Sequence, residues 1–328
     1  VPGSYSAGCT LTSTATPAAP DSATLTCVND YHDTKTFESF LPRFTATWLV
    51  NDDLTLYAQF AKGNKPGGFN TAANNARATP AERANVRALG LDSFDEEKAD
   101  SYELGVKSRF ADGRMQLNVA AYLIDWTNQQ LTQTHAGVEE GLPVGGTVGR
   151  FGTSYTTNLG VSEVRGVEAE LLAKLGRNWD VQLSYALQDT EIKKYANADQ
   201  ADLMFLSPYT PSCEAGTPCY ADYLVAGSVA GNELPRVPKH TVSAAATMRL
   251  PVTDTGSIVW RTSYRYESSL YAQVHNLAET GDSNIVDMRR GWETDTWSIT
   301  AWVDNLTEED AAIDILRYIE PGEFIAVP

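Results

Sequence analysis

The side chains able to do chemistry fall into three groups. Four cysteines form two local pairs, Cys9 with Cys27 and Cys213 with Cys219, each in a stretch rich in Ser, Thr, Pro, Ala and Gly. Neither pair has the CxxC spacing of a zinc site, and no histidine sits beside it to complete one. Two loop-closing disulfides, formed in an oxidising compartment, are the favoured reading, with four free thiols as the alternative. Three histidines, His32, His135 and His275, lie in long polar connections, where an imidazole either meets a ligand or is simply hydrated. The third group is charge: 42 Asp and Glu against 25 Lys and Arg give a net charge of −17 over 328 residues. Any chain this acidic offers carboxylate pairs of the kind a glycosidase uses, so their abundance carries no catalytic signal. There is no GxSxG elbow, HExxH, phosphate-binding loop or dinucleotide glycine motif. An enzyme is therefore not expected, and no catalytic residue, cofactor or metal site is assigned. The acidic balance argues against nucleic acid, because phosphate binding needs a basic face.

The elements that must position these groups are strands. With 42% apolar residues the chain is too hydrophobic for a disordered acidic tail, yet it has no apolar run of the roughly 18 to 20 residues that a membrane helix needs. Its apolar residues alternate instead. Leu54, Leu56, Ala58 and Phe60 share one face against Thr55, Tyr57 and Gln59, and Met115, Leu117, Val119, Ala121 and Leu123 share one against Gln116, Asn118 and Tyr122. The same period of two recurs in 181–188, 241–250 and 258–266 and rules out the spacing of an apolar helical stripe. Ten strands are expected near 40–50, 54–62, 97–110, 114–127, 158–175, 179–190, 239–251, 257–271, 284–292 and 296–305. They are longer than the five or six residues usual in soluble sheets and suit a tilted crossing of an apolar slab, which takes about 9 to 11.

The connections alternate as well. Tight turns at 51–53, 111–113, 176–178, 253–256 and 293–295 are followed by long polar stretches at 63–96, 128–157, 191–238, 272–283 and from 306 onward. This is the habit of a transmembrane antiparallel β-barrel with short periplasmic turns and long extracellular loops. Trp48, Trp179, Trp292 and Trp297 fall near the tight turns, where an indole can sit at the lipid–water boundary, and Trp126, Tyr264 and Tyr266 are expected in the opposite belt. The alternative is that these are core aromatics of a soluble sheet.

Several segments resemble the C-terminal barrel of the TonB-dependent outer-membrane receptors. They are Phe40-Leu41-Pro42-Arg43-Phe44 with the Asn51-Asp52-Asp53 turn and Leu56-Tyr57-Ala58, then Lys65-Pro66-Gly67-Gly68-Phe69-Asn70, then Ser101-Tyr102-Glu103-Leu104-Gly105-Val106-Lys107-Ser108. Gly166-Val167-Glu168-Ala169-Glu170, Leu234-Pro235-Arg236-Val237-Pro238-Lys239-His240 and Asp304-Asn305-Leu306-Thr307-Glu308-Glu309 complete the series, in family order. Gly67 and Gly68 are expected to take positive φ where the strand leaves the rim. Glu103, Lys107, Arg109, Glu168, Glu170, Arg261 and Arg265 are expected to face the lumen, since a mid-bilayer Arg or Lys costs about 2 to 4 kcal/mol.

The resemblance implies energy-coupled uptake of a scarce ligand, most often an iron–siderophore complex, with TonB engaging a plug domain that has no counterpart in this sequence. It implies residues 1–35 as an extracellular loop segment and 36–328 as part of a barrel of about 22 strands, read as a fragment held in outer-membrane lipid of a Gram-negative cell. Ten strands alone would leave two unpaired edges. No haem-receptor segment is found. The 191–237 loop carries Glu191, Asp199, Asp202, Glu214, Asp222 and Glu233 against Lys193, Lys194 and Arg236, which disfavours a strongly anionic ligand. A passive porin and a secreted β-rich glycan-binding protein are the alternatives.

Overall fold

The structure is a computed structural model, and it describes residues 2–5, 9–13, 23–27, 31–70, 92–135, 153–158, 160–195, 227–312, 314–317 and 324–327. These residues hold strands and no helix. In chain order the strands are β1 (Pro2–Tyr5), β2 (Cys9–Ser13), β3 (Ala23–Cys27), β4 (Tyr31–Thr34), β5 (Arg43–Asn51), β6 (Leu54–Lys65), β7 (Gly68–Phe69), β8 (Ser93–Phe94), β9 (Glu97–Phe110) and β10 (Met115–Thr127). There follow β11 (Gln130–His135), β12 (Thr153–Asn158), β13 (Val161–Leu175), β14 (Trp179–Lys194), β15 (His240–Thr253), β16 (Gly256–Glu267), β17 (Ser283–Thr294), β18 (Ser298–Val303), β19 (Asp314–Arg317) and β20 (Phe324–Val327).

Ten of them form one antiparallel sheet in the order β5-β6-β9-β10-β13-β14-β15-β16-β17-β18, so every strand pairs with its neighbour along the chain within the set. Ten expected strands map one to one onto this meander. The remaining strands make small two-stranded sheets, β1 with β4, β2 with β3, β7 with β8, β11 with β12 and β19 with β20. The tight turns form for local reasons. The Asn51 side-chain oxygen accepts the Asp53 N–H at 2.9 Å, and Ala111, Asp112 and Gly113 all take positive φ (53°, 56° and 75°).

The register fixes two unlike faces. Leu56, Val106, Val119, Ala169, Tyr185 and Val242 stand on one face of successive strands, and Tyr57, Gly105, Ala120, Glu168, Ala186 and Thr241 on the other. The apolar face keeps large side chains in the open, with Leu104 at 65% exposure, as a lipid-facing wall requires. Toward the long connections this belt ends in a charged row, Lys62, Asp100, Asp125, Glu163 and Glu191, one residue from each of five adjacent strands. Lys62 meets Asp100 at 2.9 Å and Lys193 meets Glu163 at 3.5 Å, while Arg165 also pairs with Glu163. Such a row belongs beyond the hydrocarbon, where water or headgroups solvate it.

Trp48, Trp179 and Trp292 stand on the apolar face near tight turns, and Tyr264 and Tyr266 stand on it near the long connections. Trp126 does not join that outer belt. Its register puts it on the polar face, opposite Ala99 and Ser162, where it packs against the buried cluster Val164, Ile192, Tyr195, Val229 and Leu234. That cluster forms where residues 229–234 fold back onto the polar face, so the indole is shielded by protein and not by lipid.

Candidate functional site

The polar face carries a network built from cross-strand partners. Tyr57 is paired with Gly105 and Tyr122 with Gly166. A Cβ at either glycine would come within 2.3 Å of the Tyr57 ring or 2.2 Å of the Tyr122 ring, so each glycine is the seat on which the tyrosine of the next strand lies. The arrangement holds the hydroxyls along the wall. Tyr57 donates to Glu103 at 2.7 Å, with the Lys107 ammonium 5.6 Å from the Tyr57 ring centre, and Gln188 donates to the Tyr122 hydroxyl at 3.0 Å. Asn118 donates to Glu170 at 3.1 Å. A cavity of about 770 Å³ opens here, lined by Tyr57, Glu103, Tyr122, Glu168 and Gln188 together with Leu234 from the folded-back loop.

Farther round the sheet a second cavity of about 430 Å³ lies among Gln182, Ser184, Ser243, Arg261, Arg265 and Asp287. Arg265 reaches Asp287 at 3.4 Å, and Arg261 donates to Thr247 at 3.0 Å. All seven residues expected on one face, Glu103, Lys107, Arg109, Glu168, Glu170, Arg261 and Arg265, share the polar face by register. The two cavities divide them. Glu103, Lys107 and Glu168 belong to the larger cavity, Arg261 and Arg265 to the smaller, and Glu170 borders both. Arg109 stands apart at the turn end, donating to the Asp52 carbonyl at 2.7 Å.

At the other end the rim is held by amide side chains that sequence reasoning missed. The buried Asn70 acts as a short strand of its own, donating to the Thr156 carbonyl and accepting the Thr156 N–H, both at 2.8 Å. Gln130, also buried, donates to the carbonyls of Pro66 at 2.9 Å and Asp95 at 3.1 Å. Asn158 accepts the Asp95 N–H at 2.6 Å, and Asn276 accepts the Glu233 N–H at 2.6 Å. Lys98 foremost, then Ser39, hold the Glu96 carboxyl below its ordinary range in the same region. The only sequence signal for these clamps was Asn70 at the end of Pro66-Gly67-Gly68-Phe69-Asn70.

The two glycines of that motif are not at positive φ. A Cβ on Gly67 would meet the Phe94 carbonyl at 2.3 Å and one on Gly68 the Phe94 ring at 2.8 Å, so close approach, and not handedness, demands glycine. His275 is buried in the rim, at 7% exposure, and is not a hydrated loop residue. His32 and His135 lie in β4 and β11, and their side chains fall outside the described residues. The β2–β3 register sets Cys9 opposite Cys27, whereas Cys213 and Cys219 lie outside the described residues.

Known proteins share this architecture. A family model described as "TonB dependent receptor-like, beta-barrel" matches residues 14–306. The pesticin receptors of Yersinia enterocolitica and Yersinia pestis are each 24% identical over 274 residues, covering 82% of this chain and 31% of theirs. The ferric yersiniabactin uptake receptor FyuA of Yersinia pestis superposes with a TM-score of 0.59 at 20% identity, covering 88% of this chain and 35% of that one. The ferric-catecholate import receptor Fiu of E. coli K12 superposes at 0.55 and 17% identity, over 96% and 37%. The chain thus spans about a third of the length of these relatives, between 31% and 37%. With an alternating ten-strand wall of one apolar and one polar face and a family match over nearly its whole length, the chain belongs to the β-barrel family of the TonB-dependent receptors of the Gram-negative outer membrane.

Proposed function

We propose that this chain is one part of the wall of an outer-membrane receptor that takes up a ferric siderophore using energy delivered through TonB, and that it has no catalytic role. The observation that carries the reading is the pairing of unlike faces on one meander. An apolar belt suits lipid, while the opposite face bears hydroxyls, carboxylates and guanidiniums around cavities of about 770 and 430 Å³. On this reading the polar face lines the lumen, the amide-clamped rim and residues 1–35 lie outside the cell, and the tight turns lie in the periplasm. The names of the relatives support the ligand class, since FyuA takes up ferric yersiniabactin and Fiu a ferric catecholate.

The test is uptake of radioactive iron by iron-starved cells with and without the full-length gene. Supply of a cognate ferric siderophore should restore uptake only when both the gene and TonB are present. Uptake that persists without TonB, with an open conductance in planar bilayers, would instead identify a porin. Solubility of the full-length protein without detergent would point to the secreted glycan-binding alternative.

A further inference from the structure

The β16–β17 register sets Arg261 directly opposite Arg289 on the polar face. Side chains so placed have Cβ atoms about 4.5 to 5.5 Å apart, and like charges there repel. Asp180 shares the row of Arg261 but lies two strands away, beyond Thr247, and two further carboxylates on this face are occupied. Asp287 holds Arg265 at 3.4 Å and accepts the Asn305 N–H at 3.0 Å, while Glu293 is paired with Arg249. Among the described residues neither Arg261 nor Arg289 has a carboxylate within ion-pair distance, a condition shared with Arg43, Lys107 and Arg290, none of which stands directly opposite another arginine. Arg261 lines the 430 Å³ cavity beside Ser184, Ser243 and Ser263, and Trp302 stands opposite Arg289 on its far side.

We propose that Arg261 and Arg289 form a carboxylate-binding station on the wall. Arg261 gives one Nη1 N–H to Thr247 on β15, and its remaining donors together with the guanidinium of Arg289 can meet the two oxygens of a carboxylate, with neighbouring hydroxyls on its remaining lone pairs. Glu170 and Asp287 border the same cavity, so a densely charged phosphate is repelled where a single negative charge is accepted. The carboxylate comes either from an Asp or Glu of the receptor outside this chain or from a solute in the lumen. The inference rests on the polar face lining that lumen, but not on which ligand is carried.

The experiment uses the full-length receptor and compares wild type with the R261Q/R289Q pair, with R261K/R289K as the charge-keeping control. Radiolabelled benzoate is the probe, measured by equilibrium dialysis, alongside the thermal unfolding midpoint without probe. A solute station predicts binding at least about tenfold weaker in the glutamine pair and partial retention in the lysine pair. A station filled by the receptor predicts no benzoate binding in either form, with an unfolding midpoint lowered by several degrees in the glutamine pair only. Unchanged binding and unchanged midpoint in the glutamine pair overturn the proposal. If the glutamine pair does not assemble, the single variants R261Q and R289Q take its place, and unchanged benzoate binding with an unchanged midpoint in both overturns the proposal. Failure of iron uptake with these shifts intact would sink the transport reading and leave the station standing.

Discussion

The wall and the rim of this molecule are stabilised in opposite ways. In the wall, backbone ladders do the holding and large apolar side chains such as Leu104, Leu183 and Trp48 stand exposed. At the rim, ladders give out and the chain is held by buried amides and by the apolar cluster of Val164, Ile192, Tyr195, Val229 and Leu234. The difference follows from the solvent each region meets. Lipid solvates apolar side chains and no backbone polar group, so the wall must satisfy every N–H and C=O internally and need bury no side chain. Water solvates both, so the rim must bury apolar surface to gain order.

Substitutions that exchange the two logics test this contrast. The largest effect is expected from Leu234→Ala, at 3% exposure in the rim cluster, which should cost about 2–5 kcal/mol. The loss should be local, read as faster hydrogen exchange at Val229 and Gly231, and faster exchange in β9 or β10 would erase the distinction. Leu104→Arg on the apolar face should cost about 2–4 kcal/mol in bilayer unfolding of the full receptor. Gln182→Arg, on the polar face between Leu172 and Ala245, should stay within about 0.5 kcal/mol, and an equal cost at both would overturn the assignment of faces.

Asn70→Ala removes both bonds to the Thr156 backbone and should cost about 1–3 kcal/mol, seen as protease sensitivity beside β12. Asn70→Asp keeps the accepting half but sets a second carboxylate oxygen against the Thr156 carbonyl in a buried site, so it should cost at least as much as the alanine. A smaller loss than these belongs to Lys62→Ala, since its side chain and that of its partner Asp100 are 44% and 34% exposed. Less than about 1 kcal/mol is expected there, vanishing in high salt.

The same contrast decides what was legible in the sequence. Period-two alternation is a local property, so the ten strands, their turns and the shared face of Glu103, Glu168 and Arg261 were all readable from it. The rim was not, because its order depends on partners such as Asn70 and Thr156, 86 positions apart, with no periodicity to announce them. Trp126 was misplaced for the same reason: its alternation showed a face, but nothing showed that a later segment folds back over it. Gly67 and Gly68 were recognised as necessary but for the wrong cause, since an approaching Phe94 leaves no mark in their own neighbourhood. The opposition of Arg261 and Arg289 requires the pairing register, which alternation within each strand leaves free.

The strictly sequential order of the ten-strand sheet also has a kinetic side. Each strand needs only the one just before it in the chain as a template, so the wall can be laid down hairpin by hairpin from a single growing edge. The connections that separate those hairpins add little to the cost of docking, because loop closure rises with the logarithm of length and each doubling adds only about 0.6 kcal/mol. The long connections can therefore lengthen, shorten and change sequence over generations while the assembly route of the wall stays the same, so variation is tolerated there on a scaffold that builds itself in a fixed order.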